Sequence, residues 1–102
     1  MAGFRDQSYY VYIMSNASWQ PFYTGVTSNL PKRAFEHKQH QPDAYTTRYN
    51  IDRLLYYERY QYVASAIARE KTLKRYTRVK KLALIRKMNP NGDDLGRGWF
   101  KT

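Results

Sequence analysis

Two tyrosines, Tyr12 and Tyr23, sit in neighbouring β-prone runs, and the segment after them carries Arg33 and His37 one helical turn apart. That order can gather two phenols, a guanidinium and an imidazole about one point. A fifth group, Glu70, falls on the spacing 63, 66, 67, 70, 73 of an apolar helical stripe, so its carboxylate is expected to point toward a sheet. Burying a carboxylate costs several kcal/mol unless it is paired or binds a cation. An ion pair with Arg33 or a neighbouring lysine would satisfy it, and so would a functional role. Together the five residues suit phosphodiester chemistry, which needs an activated water, positive charge at the scissile phosphate and help for the leaving oxygen. Arg33 offers a planar, bidentate clamp for phosphate oxygens. A lone carboxylate with Mg²⁺ or Mn²⁺ can offset the phosphate's charge, since hard oxygen ligands suit such ions. A tyrosine among cations can have its pKa lowered enough to accept a proton from water.

Singly, each residue has a plainer reading. Tyrosine occurs eleven times, so most of its copies are core or rim aromatics. His37 alone suits a helix surface. His37 and His40 do not amount to a zinc site, because further ligands are wanting.

The elements that must position these groups are readable from pattern. Residues 9–14 are aromatic and β-branched and predict a strand; SNASWQP breaks the pattern; FYTGVT resumes it, which makes a hairpin. Gly25 inside the second strand marks a bulge or a place where another group comes close. Ser28 or Asn29 can cap the following helix, with Pro31 in its first turn and Leu30, Ala34, Phe35 and Lys38 on one face. Residues 39–52 read as a loop and residues 53–60 as a third strand. Two helices are expected over 63–75 and 77–88, with apolar positions at 63, 66, 67 and 73, then at 79, 82, 85 and 88. The fold class is α+β, a small three-stranded antiparallel sheet flanked by helices in the order β-β-α-β-α-α. Residues 1–102 form a single domain in this reading, with a lead-in at 1–8 and a tail at 89–102 that are less ordered.

Composition narrows the partners. The chain has 102 residues, no cysteine and a formal net charge of +10. Thiolate metal sites and cysteine nucleophiles are excluded, and a reducing, cytoplasmic setting is the default expectation. So much positive charge on a small surface attracts polyanions. Nine of the eighteen Lys and Arg residues fall between Arg69 and Lys87, against one acid, Glu70. Lys32, Arg69, Lys71, Lys74, Arg75, Arg78, Lys80 and Lys81 are therefore the expected phosphate contacts. DNA is the first partner expected and RNA the second. The apolar stripes of these helices are assigned to the core, so no membrane partner is expected, and a monomer is the default.

Tyr10-Val11-Tyr12 followed by Tyr23-Thr24-Gly25 resembles the paired signature of the GIY-YIG nuclease superfamily, its small stand-alone bacterial members in particular. SNLPKRAFEHK, AREKTLKRYTRVKKLALI and KMNP extend the resemblance over nearly the whole chain. It implies a β-β-α-β-α-α nuclease fold with one divalent metal. Tyr23 would be the general base or water-positioning phenol, and Tyr12 would support it. Arg33 and His37 would face the phosphate and the attacking water, Glu70 would hold the metal, and Asn89 would be a supporting polar residue. The chain departs from the pattern at Tyr10, where the first signature has Gly, and at Thr24, where the second has Ile. Gly92 stands where related small proteins often have an aromatic. The reactive groups remain, so the expectation is a divalent-metal-dependent endonuclease acting on DNA shape rather than sequence. The other reading is a nucleic-acid-binding module of the same fold that cuts little or nothing.

Overall fold

β-Branched and aromatic residues dominate three runs, and each forms a strand: β1 (Tyr9–Ser15), β2 (Tyr23–Thr27) and β3 (Arg53–Tyr60). Three helices complete the order β-β-α-β-α-α among the described residues: α1 (Leu30–Lys38), α2 (Val63–Lys74) and α3 (Arg78–Met88). The computed structural model describes residues 7–39 and 48–99. Most of the 39–52 loop, including His40, lies outside the described residues, as do positions 1–6 of the lead-in and 100–102 of the tail.

The strands form one antiparallel sheet in the order β2-β1-β3. β1 is central and buried from Val11 to Ser15, which is why its apolar run is nearly unbroken. An irregularity between Ile13 and Met14 shifts the β3 register, so that Ile13 faces Tyr56 and Met14 faces Leu54. Val11, Ile13, Leu55 and Tyr56 pack beneath Ala66, Leu73 and Ile85 of α2 and α3. Tyr12, Met14 and Leu54 occupy the opposite face with Leu30 of α1. The sheet is thus covered by α1 on one side and by α2 and α3 on the other.

Asn29 caps α1 by accepting from the Lys32 amide at 3.1 Å, with Pro31 in the first turn, and Thr77 caps α3 in the same way. The buried faces differ from those expected. On α1 they are Leu30, Ala34 and His37, an i, i+4, i+7 line, while Phe35 is exposed. On α2 only Ala66 and Leu73 are buried, and on α3 only Ile85. Val63, Ile67, Val79 and Met88 are exposed, so the apolar stripes are not fully committed to the core. α2 approaches all three strands and buries side chains along the single line Ala66–Leu73.

Polar ties hold the periphery. Residues 89–99 of the tail are fastened: Asn89, nearly fully buried, donates to the Leu55 and Asp93 carbonyls at 3.1 and 2.7 Å and accepts from the Asp93 amide. Asp94 pairs with Lys38 of α1 and accepts from the Leu54 and Gly96 amides. Glu58 on β3 accepts from Arg69 of α2 and from the hydroxyls of Tyr56 and Tyr60. In the β1–β2 loop, Trp19 takes a φ of 60°, and Asn16 and Arg78 hold the loop around it.

One close approach across the hairpin shapes everything at the β2 edge. Tyr12 pairs with Gly25, and a Cβ at position 25 would stand 2.6 Å from the Tyr12 Oη and 2.7 Å from its Cζ. Gly25 therefore marks no bulge; it is a place where another group comes close, and that group is the Tyr12 ring.

Two outcomes follow for stability. Burial opposes the charged form of Glu58 and of Asp94, but at Glu58 Arg69 and the two phenols outweigh it, and at Asp94 Lys38 and two amides do so. Both carboxyls sit below their ordinary values of 4.5 and 3.8, so their contribution is complete above about pH 5 and is lost as pH falls through the lowered values. Melting followed by circular dichroism should show the wild type losing more Tm between pH 5 and pH 2 than a Glu58→Gln, Asp94→Asn double variant. Gly25→Ala should destabilise by about 1–3 kcal/mol through overpacking against a buried ring. That cost should shrink in a Tyr12→Leu background, and denaturant melts of the four proteins measure the coupling.

Candidate active site

β2 is an outer strand, so the space beside it is bounded by α1 from one face and α2 from the other. The result is a cleft of about 700 Å³. Tyr12, Tyr23, Arg33 and Glu70, drawn from β1, β2, α1 and α2, all line it. Lys74 of α2 and Lys81 of α3 add positive charge to its wall. Four of the five residues singled out from the sequence therefore meet at one opening.

Tyr12 reaches the cleft by lying over Gly25. Burial, reinforced by the neighbouring Tyr23, pushes its phenol well above the ordinary value, and Arg33 offsets only part of this. The shift runs opposite to the lowering expected of a tyrosine among cations. His37 is fully buried and lies behind the phenols rather than on the cleft surface. Its ring meets Tyr23 edge-on at 5.1 Å and Tyr12 at 5.9 Å, and its Nε2 is 3.5 Å from Tyr12 Oη.

Glu70 sits at the cleft wall with its side chain 19% exposed, and its carboxylate accepts from Lys74 at 3.0 Å, one turn on. The partner is thus a lysine; Arg33 pairs instead with Glu36 at 3.4 Å. Among the described residues no three His, Asp or Glu side chains gather, so a metal caged by protein ligands does not fit. A single carboxylate beside a roomy opening does fit an ion such as Mg²⁺, which keeps several of its waters.

The expected phosphate contacts divide. Lys74 and Lys81 line the cleft, and burial pushes the Lys81 ammonium down. Lys71 and Arg75 are exposed on α2 and just after it. Lys32 is exposed at a smaller hollow shared with Arg33 and Glu36. Three others are already engaged: Arg69 forks onto Glu58, Arg78 donates to the Trp19 carbonyl at 2.7 Å and lies over the Phe22 ring, and Lys80 sits over Tyr76. Their charge remains on the surface, but their geometry organises the protein.

Two apolar wall residues, Phe22 and Ile67, were not singled out from the sequence. Ile67 stands one turn before Glu70, and that spacing is a usable signal. Phe22 has none, since its place depends on Arg78. Gly92, with φ of 68°, accommodates the Trp19 indole, whose Cζ2 is 2.5 Å from where a Cβ would stand. An aromatic does fill this neighbourhood, but it comes from the β1–β2 loop.

Comparison with known proteins agrees with this arrangement. The model of the GIY-YIG catalytic domain matches residues 8–83. UPF0213 proteins from several strains of Staphylococcus aureus are 37% identical over 79 residues, which cover 78% of this chain and 95% of theirs. The solution NMR structure of a UPF0213 protein from Bacillus halodurans shares the fold, with a TM-score of 0.54 and 23% identity over 93% of this chain and 98% of that one. The matched span starts before β1 and runs into α3, taking in every element that lines the cleft: the chain belongs to the GIY-YIG family, whose catalytic domains are nucleases in kind.

Proposed function

We propose that the protein is a Mg²⁺- or Mn²⁺-dependent endonuclease that hydrolyses DNA by direct attack of water, without a covalent enzyme intermediate. The observation that carries this reading is the convergence of Tyr12, Tyr23, Arg33 and Glu70 on one cation-lined cleft. Tyr23 is assigned the orienting of the attacking water and, in its phenolate form, the acceptance of that water's proton. Tyr12 holds its own proton and supports Tyr23 through the shared packing with His37. Arg33, whose guanidinium meets Glu36 at 3.4 Å, would turn its fork to the phosphate oxygens. Glu70 would hold the metal, which supplies charge neutralisation at the phosphate and shelter for the leaving oxygen. With Glu70 so engaged, Lys74 would be available to the nucleic acid backbone. The cations of the cleft wall suit the phosphate backbone, and recognition of nucleic acid by shape and charge rather than sequence is part of this proposal.

A second reading rests on the Glu70–Lys74 pair. A carboxylate already neutralised by a lysine suits a nucleic-acid-binding module with little or no cleavage.

Branched, single-stranded and duplex DNA, with RNA alongside, should be incubated with the protein with and without Mg²⁺ or Mn²⁺. Metal-dependent cleavage of at least one substrate is expected, falling roughly a hundredfold or more in Glu70→Ala and Arg33→Ala. Cleavage that persists in Glu70→Ala, or none on any substrate, would sink the nuclease reading. Tyr23→Phe should lose more activity than Tyr12→Phe, because only Tyr23 is assigned the water's proton. Mg²⁺ should raise the Tm of the wild type and leave that of Glu70→Ala in place; a wild-type Tm unmoved by Mg²⁺, together with tight DNA binding, favours the binder.

A further inference from the structure

We infer that Glu58 and Arg69 form a brace that sets the angular position of α2 and thereby carries Glu70 to the cleft. They are positioning residues; neither lines the cleft. The functional half of this inference rests on the reading of Glu70 as the metal-holding carboxylate.

α2 has slim apolar anchoring. Of its twelve residues only Ala66 and Leu73 are buried, on one line along the helix, while Val63 and Ile67 are 44% and 41% exposed. Its N-cap residue, Tyr62, makes no side-chain cap. The helix lies across all three strands, but with only two buried side chains, on one line, its apolar packing by itself opposes rotation about the helix axis weakly. Rotation matters here, because on a helix of about 5–6 Å radius a turn of about 20° moves a side-chain tip by about 2 Å. Displacement of a catalytic group by about 1 Å can lower a rate on the order of a hundredfold.

Arg69 supplies what packing lacks. It precedes Glu70, so the two side chains leave the helix about 100° apart. One goes to β3, the other to the cleft beside β2. The Arg69 Nε and Nη2 donate to Glu58 at 2.9 and 3.0 Å, a two-pronged contact that restrains direction as well as distance. The anchor is itself fixed: Tyr60 donates to Glu58 Oε1 at 2.7 Å, Tyr56 donates to Oε2, and the guanidinium lies over the Tyr76 ring at 5.8 Å, with Nη1 3.5 Å from its hydroxyl. With Glu58 held by three residues, α2 has one angular setting, the setting in which Glu70 and Ile67 form a cleft wall.

The chain has no cysteine, so spin labels can be placed cleanly. Labels at Lys71→Cys on α2 and Ser28→Cys after β2 report the rotation of the helix and leave Glu70 intact. The parent should give one narrow distance distribution. Glu58→Gln, and separately Arg69→Lys, which keeps the charge but loses the fork, should each shift or broaden it while circular dichroism stays native. In the unlabelled proteins both variants should bind Mn²⁺ about tenfold more weakly by calorimetry. An unchanged distance distribution overturns the inference whatever the metal does. A changed distribution with wild-type Mn²⁺ affinity also overturns it, since the brace would then serve the fold alone. If the wild type binds no Mn²⁺, the nuclease reading fails, and the distance measurement alone decides whether the brace sets α2.

Discussion

The Tyr12 ring lying across β2 at Gly25 is the contact on which the site depends. A side chain of the central strand normally ends in the core. Here the missing Cβ of the neighbouring strand lets the phenol pass through to the sheet edge, where α1 and α2 can both reach it. The same passage buries the ring, keeps its proton in place and sets the edge contacts among Tyr12, Tyr23 and His37. One absent methyl-sized group thus decides where the Tyr12 phenol ends.

Acids are scarce in this chain, eight against eighteen Lys and Arg, so the position of each carries information. Glu36 meets Arg33, Glu58 meets Arg69, Glu70 meets Lys74 and Asp94 meets Lys38. Two of these pairs are structural ties between elements, Glu58 joining β3 to α2 and Asp94 joining the tail to α1. The other two each join residues within one helix and so hold no pair of elements together; Arg33, Glu70 and Lys74 of these pairs line the cleft. The basic excess read from composition is therefore two populations: cations spent on architecture, such as Arg69 and Arg78, and cations presented outward, such as Lys71 and Arg75.

The strands were legible in the residues themselves, since continuous aromatic and β-branched runs admit little else, and Arg53–Tyr60 matches the expected limits. Helix starts were legible from Asn29 and Pro31. What failed was the choice of helix face. Val63 and Ile67 keep helical spacing with Ala66 and Leu73, but a helix touching the sheet along one line buries only that line, and spacing does not reveal how a helix lies. Pairings between distant elements were equally hidden. Nothing local to Arg69 points to Glu58, and nothing local to Phe22 points to Arg78. Four of the five candidate residues could be named before their meeting at one cleft was visible because their chemistry, not their packing, set them apart.

The loop between the first two strands is not completed by its neighbours in sequence. Trp19 packs over Gly92, and its carbonyl is held by Arg78 from α3. The hairpin that places Phe22 and Tyr23 therefore acquires its final shape only when the far end of the chain docks. Contacts of such long sequence separation form late, because the intervening chain must be closed before they can reward it. During synthesis the hairpin emerges before the helix and tail residues that complete it, so its two phenols reach their final setting only after Gly92 has been made.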